Sequence, residues 1–232
     1  MLNYGPLTPD GTIQKENLPP PGPMSTDTMD GVGLGDDADT PGLRMDFRSE
    51  VPHLTFSTQS SSWDGSGTLN GNFGDVNPGP VDSELDLAVH KFITTWDMVP
   101  GSLVEFGLGL GVIVADTEAS FVNTNDQSSD GFDEVVSLPV VSTRLGARFW
   151  WIDTELLLSW MDLTMNDDTA EMLDIDLNAK IALIGSHGLI SGSVVVGWRS
   201  LAIDAEYDDD DEHEVVDDLS FDGWYVGLQF GI

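Results

Sequence analysis

Hydrophobic positions recur with period 2 from Leu43 almost to the end of the chain, the pattern of strands whose two faces differ chemically. The clearest stretch is Met172 to Leu183, where Leu173, Ile175, Leu177, Ala179, Ile181 and Leu183 alternate with Asp174, Asp176, Asn178, Lys180 and Ala182. The closing segment repeats it, with Trp224, Val226, Leu228, Phe230 and Ile232 against Tyr225, Gly227, Gln229 and Gly231. From Val104, alternate positions Val104, Phe106, Leu108, Leu110, Val112 and Val114 are apolar, while Glu105, Gly107, Gly109 and Gly111 share the other face. Further strands are predicted over about 43–57, 83–97, 135–149, 151–165 and 189–206, giving roughly eight strands and almost no helix.

The links alternate in character. Met98-Val99-Pro100-Gly101, Trp150-Trp151 and Gly185-Ser186-His187-Gly188 read as tight turns. Longer polar links are predicted at about 58–82, 122–134, Asn166 to Glu171 and Tyr207 to Asp218. An up-and-down meander of this kind gathers its long loops at one end, and an even strand count puts both termini at the other. Residues 1–41, with Pro19, Pro20, Pro21, Pro23 and a Gly/Asp cluster, read as a flexible tail, leaving 42–232 for the barrel. Lys91 falls on the apolar parity between Val89 and Ile93, which calls for a bulge or a snorkelling ammonium; Pro52 and Pro139 are expected at bulges or strand starts.

Alternation alone does not say which face is inside. Gly107, Gly109, Gly111, Gly146, Gly197, Gly227 and Gly231 lie on the polar face, where a narrow barrel interior needs small residues. Six of the eight basic residues, Arg44, Arg48, Arg144, Arg148, Lys180 and Arg199, share that face with Glu105, Asp153, Glu155, Asp174 and Asp176. Asp46, Glu50, Asp86 and His90 are assigned to it as well. A buried, charge-paired lumen follows from this interleaving. Trp96, Trp150, Trp151 and Phe230 near the tight turns, and Trp160, Trp198 and Trp224 nearer the loops, suggest two interfacial girdles around an aliphatic band.

Charge and composition narrow the functions. With 8 Lys+Arg against 41 Asp+Glu, the net charge of −33 excludes nucleic acid as a partner. There is no Cys, hence no thiol catalysis or Cys-ligated zinc, and Asp, Glu, Gly or Ser interrupts every apolar run before a spanning helix is reached. The opening MLNYGPLTPDGTIQ has neither a basic nor an apolar signal-peptide region.

Candidate chemistry is sparse. Asp208, Asp209, Asp210, Asp211, Glu212 and Glu214 form an acidic run that could hold Ca²⁺ or Mg²⁺ weakly, without EF-hand spacing; a solvated external loop is the plainer reading. His53, His90, His187 and His213 stand apart, and no HExxH, GxSxG or phosphate-loop context occurs, so no catalytic residue and no cofactor are expected. His90 is expected to satisfy a hydrogen bond in the lumen.

The dyad strands, alternating links and terminal GWYVGLQFGI together resemble the small eight-stranded outer-membrane β-barrels of the OmpA and OmpX type, over roughly Leu43 to Ile232. Such barrels usually end in Phe, where this chain has Ile232. The resemblance implies an all-β, closed, antiparallel up-and-down transmembrane barrel, monomeric, in the outer membrane of a Gram-negative bacterium. Its partners would be membrane lipid and, through the last strand, the outer-membrane assembly machinery. A structural or surface-interaction role without enzymatic activity is expected, with an occluded lumen rather than an open pore. Two alternatives are a soluble lipocalin-like barrel that binds a hydrophobic small molecule and a lipid-modifying barrel enzyme using His90 or His53.

Overall fold

The computed structural model describes residues 1–17, 27–48, 52–99, 103–165, 168–184, 191–208 and 212–231. The strands are β1 (Leu2–Asn17), β2 (Asp27–Thr28), β3 (Ala38–Arg48), β4 (His53–Leu69), β5 (Gly79–Val99), β6 (Val104–Asn123), β7 (Ser129–Phe149), β8 (Ile152–Met165), β9 (Asp168–Ile184), β10 (Ser191–Asp208) and β11 (Glu212–Gly231). Consecutive antiparallel pairing runs from β3 to β11, and β1 pairs with both β3 and β11, closing the sheet into a barrel. The barrel thus has ten wall strands plus the two-residue β2, which pairs only with β1, rather than about eight.

The miscount has a physical source. Residues 2–17, read as tail, form the strand that closes the barrel, with Pro6 and Pro9 outside the usual strand vocabulary but accommodated in its ladders. The predicted long loops are also mostly wall: β4 runs to Leu69 and β5 begins at Gly79, so the link between them is residues 70–78 and not 58–82. Both termini lie at the end that carries the links 49–52, 100–103, 150–151 and 185–190, here called the lower end.

Inside and outside exchange chemistry partway up the wall, while the β5–β6 and β6–β7 ladders keep their register at that height. On β6 the outward positions are Val104, Leu108, Leu110 and Val112 in the lower half, and Asp116, Glu118 and Ser120 above. Inward positions run the opposite way, from Gly107 and Gly109 to Ile113, Ala115, Ala119 and Phe121. On β5 the outward set changes from Trp96 and Phe92 to Glu84 and Asp82, while inward Thr95 and Lys91 give way to Val89, Leu87 and Leu85. An apolar belt therefore surrounds a polar interior below, and a polar wall surrounds an apolar core above. Within that core the rings of Trp63 and Phe221 lie 5.5 Å apart, and those of Phe73 and Phe121 4.7 Å apart, both pairs tilted.

The upper mouth is closed by chain. Met29, Val32 and Leu34 from the segment after β2, and Phe73 and Val76 from the β4–β5 link, are all 1% exposed or less. Outside the mouth, Asp126 in the β6–β7 turn accepts from the Ser128 backbone N–H at 2.9 Å, the Ser128 hydroxyl at 2.7 Å and the Asn77 amide at 2.7 Å. Those donors hold its carboxyl below the ordinary carboxylate range.

Pro139 needs no bulge. It sits opposite Val112 in an unbroken β6–β7 ladder, just beyond Val141↔Trp160, where the β7–β8 ladder begins, so no β8 carbonyl calls for its missing N–H. Pro52 immediately precedes β4, a strand start as expected.

Candidate functional site

The lower interior is a layer of charge contributed by nearly every wall strand. Arg44 of β3 pairs with Glu155 of β8, donates from Nε to Asp46 Oδ1 at 2.9 Å, and stands 3.8 Å from Asp176 Oδ2. Glu155 also lies 3.9 Å from both Lys180 Nζ and Arg144 Nη1. Arg144 of β7 bonds Asp97 and, at 3.0 Å, Glu105 Oε2; His53 Nε2 is 2.8 Å from the other oxygen of Asp97. Arg44, Arg144, Glu155, Asp174 and Arg199 are all 8% exposed or less, and each has a polar or charged partner in the layer that offsets part of its desolvation.

Higher in the layer, Lys91 of β5 reaches across the barrel to Asp174 of β9. The ammonium was expected on the apolar outer face, yet β5 pairs with β4 and β6 through this position with no bulge. Odd positions of β5 from Val81 to Thr95 face inward; Val89 and Ile93, which flank Lys91, are core residues. The same correction turns His90 and Asp86 outward, and His90 is exposed at the level of Thr58 and Val114.

Tyr225 and Gly197 form one unit with Arg199 and Asp176. Tyr225 donates to Asp176 Oδ1 at 2.7 Å, and the Arg199 guanidinium lies 4.3 Å from its ring centroid. Gly197 is directly opposite Tyr225, and a Cβ there would come within 2.2 Å of the ring. This glycine is what allows the ring to lie flat across β10, the arrangement by which aromatics cover sheet glycines.

Of the predicted lumen residues, Arg44, Glu105, Arg144, Glu155, Asp174, Asp176 and Lys180 meet in the connected layer, and Arg199 joins it through Tyr225 and Gln59. Arg148 and Asp153 do not. They pair at 2.7 Å at the lower rim with side chains 51% and 48% exposed, because the interior widens there into a cavity of about 250 Å³ lined also by Trp151 and Lys180. The side chain of Arg48 lies outside the described residues, as do Asp209, Asp210, Asp211 and the side chains of Asp208, Glu212 and Glu214. Among the described residues, no group of His, Asp and Glu has metal-binding geometry. Sequence reading missed Lys91, Asp97, Gln59 and Tyr225; the odd parity shared by Ser83, Lys91 and Thr95 is the signal that finds the first.

Of the proposed girdle residues, Trp96, Trp150, Trp224 and Phe230 are 39%, 98%, 65% and 66% exposed, and Trp151, 56% exposed, lines the rim cavity. Trp160 is 39% exposed, and Trp198, half-buried, faces Trp224 across the β10–β11 ladder. Trp150 adopts φ 57° in a two-residue turn, a left-handed conformation that Gly or Asn takes far more readily. The acids that follow the belt upward also line up. Asp162, Glu171 and Asp204 are directly opposite one another across β8, β9 and β10, and Asp39 and Asp116 hold the equivalent place on β3 and β6.

A closed antiparallel barrel with a charged interior inside an apolar belt is the fold of outer-membrane β-barrels. In keeping with this, the chain is similar to the outer membrane protease OmpT from Escherichia coli, with a TM-score of 0.53, 9% identity, and coverage of 98% of this chain and 95% of that one. It also matches the transport unit of the autotransporter AIDA-I from Escherichia coli, with a TM-score of 0.44, 9% identity, and coverage of 100% and 89%. No protein-family model and no curated protein matches the chain. At such identities the likeness is one of fold. It nevertheless corrects the expectation of a non-enzymatic chain, because a barrel of this architecture carries a protease in OmpT.

Proposed function

We propose that this chain is an outer-membrane β-barrel, held in the bilayer by its lower half and carrying a rigid acidic wall beyond it for contact at the cell surface. The single observation behind this reading is the exchange of chemistry along the wall. On β6 the belt covers Val104 to Val114, roughly eleven residues; at about 3.3 Å each and a tilt of about 40–45° it stands about 26 Å tall, the height of a bilayer core. The upper half, polar outside and apolar inside, is built for water.

Trp150 supports the same placement. A tryptophan held left-handed at a cost of about 1 kcal/mol or more, with its ring almost fully exposed, is poorly suited to the turn and well suited to a lipid–water interface. The charged layer and the apolar core fill the interior in succession, so the barrel is read as occluded and as an anchor. It acts as a monomer in lipid, and β11, the strand that meets β1 to close the barrel, is the one offered to assembly machinery.

The soluble lipocalin-like alternative needs the arginines and inward glycines to face water. Arg44 and Arg144, each 3% exposed, and buried Gly107 and Gly109 speak against it.

The test is far-UV circular dichroism of urea-solubilised protein after dilution into plain buffer or into micelles, with heated and unheated gel mobility in parallel. Strand signal and a heat-dependent shift in micelles alone are expected. Folding to a soluble monomer in buffer would overturn the reading.

A further inference from the structure

Above the rung Val141↔Trp160 the barrel wall is split. Ser129 to Val140 of β7 stay paired with β6 on one side, whereas Met161 to Met165 of β8 pair only with β9. Behind the split lies a cavity of about 80 Å³. Its rear consists of the buried core residues Leu85 and Leu219, and its mouth of Phe132 and Val136 from β7, Ala170 from β9 and Ile203 from β10. Those four are the hydrophobic residues that pack against the core yet remain partly exposed, so the core reaches the surface here.

We propose that this cavity binds a small neutral organic molecule, apolar along most of its length, which enters from the aqueous side through the split between β7 and β8. Three observations select that occupant. The first is hydration: the void exceeds the roughly 10–15 Å³ that one water needs, but water also needs two to four polar partners, and nine of the twelve described lining residues are apolar, with Thr117, Glu134 and Glu171 the exceptions. An apolar guest removes surface from water at both faces and loses no hydrogen bond.

The second is charge. Among the described residues of the lining there is no Lys or Arg, and Glu134 and Glu171 belong to it, so a carboxylate-headed guest meets repulsion there. A permanent cation gains nothing from the apolar rear, where it would be desolvated unpaired. A neutral guest can leave one hydroxyl at the mouth beside Thr117 and Glu134.

The third is access. With no ladder between β7 and β8 at this height, the β7 edge can yield without breaking wall hydrogen bonds, and flanking Asp133 and Asp162 are exposed, which places the mouth above the apolar belt. The inference does not depend on what the barrel does at the surface.

Because the chain has no Cys, single thiols report without background. In the full chain reconstituted into lipid nanodiscs, Val136→Cys and Val135→Cys are treated with a small neutral thiol reagent, with hexan-1-ol or hexanoate added. Val136 faces the cavity, and adjacent Val135 points outward at 64% exposure. Hexan-1-ol should slow modification at position 136 at least threefold and leave position 135 unchanged, and hexanoate should slow neither. Equal slowing at both positions, no slowing at 136, or equal protection by hexanoate would overturn the proposal. As a second readout, saturation-transfer NMR should detect hexan-1-ol on the unmodified protein and lose the signal in Ala170→Phe, which fills the mouth. Persistence of the signal in a folded, heat-shifting Ala170→Phe would overturn it equally. The thiol comparison needs no filled variant, so the proposal can fail on it alone.

Discussion

Replacing Lys91 with Met keeps the length of the side chain and removes its charge, deep inside the barrel. The partner left behind is Asp174, whose side chain is 1% exposed and whose Oδ1 accepts from Lys91. Asp174 Oδ2 has no hydrogen-bond partner among the described residues, so the variant buries a carboxylate stripped of its cation. Breaking one side of a buried pair in this way costs about 3–5 kcal/mol. The comparison is Arg148→Ala. That pair with Asp153 has a good distance, 2.7 Å, but both side chains are about half exposed, and water answers the loss at under about 1 kcal/mol. Urea titration of both variants in micelles, followed by far-UV circular dichroism, measures the difference. Adding Asp174→Asn to Lys91→Met removes the orphaned charge and should restore most of the lost stability, the coupling expected of direct partners. A Lys91→Met cost no larger than that of Arg148→Ala, or no recovery in the double variant, would refute the buried pair.

Three further outcomes follow from the same geometry. Gly197→Ala drives a methyl into the Tyr225 ring and should lower stability by about 1–3 kcal/mol in the same titration; an unchanged urea midpoint would show that the ring does not lie over Gly197. Leu110→Arg, on the outward face of β6 in the belt, should cost about 2–4 kcal/mol of insertion into liposomes, read as the fraction of heat-shifting protein, while Ser120→Arg on the same face higher up should fall within about 0.5 kcal/mol of the parent; equal losses would mean that no belt exists. Trp150→Gly should raise stability in micelles by up to about 1 kcal/mol by relieving the left-handed turn, and should weaken retention on liposomes at low protein density; higher retention would remove the anchoring role.

The lower half of the barrel is legible in the sequence because there a single rule holds, apolar out and polar in. It assigns Leu173 to Leu183, Val104 to Val112 and Trp224 to Phe230 to the correct face, and it finds Arg44, Arg144 and Glu155. The upper half obeys the reverse rule in the same strands, and a pattern read as one continuous alternation cannot report the exchange. Lys91 shows how this misleads: its neighbours Val89 and Ile93 give it the parity of an outward face, whereas those neighbours belong to the core. Polar outward faces above the belt, such as Ser60, Ser62 and Asp64, imitate loop composition, so wall reads as loop there, and β1, with two Pro and two Gly, reads as tail. Contacts such as Lys91 with Asp174, 83 residues apart, depend on which strands face each other across the lumen, and that follows from the strand number.

On the proposed placement in a bilayer, the acids ranged just above the belt would give the protein a waterline. Asp39, Asp116, Asp162, Glu171 and Asp204 come from five different strands, yet each is the outward residue that follows the last apolar one. Sinking by two residues along the strands would draw all of them toward hydrocarbon at once, and rising by two would lift the lower belt residues into headgroups and water. Each shift is costly on several strands in concert, so immersion depth behaves as a stiff coordinate rather than a soft one. A bilayer that thins or thickens around such a body must itself deform, because the barrel cannot ride up or down to meet it.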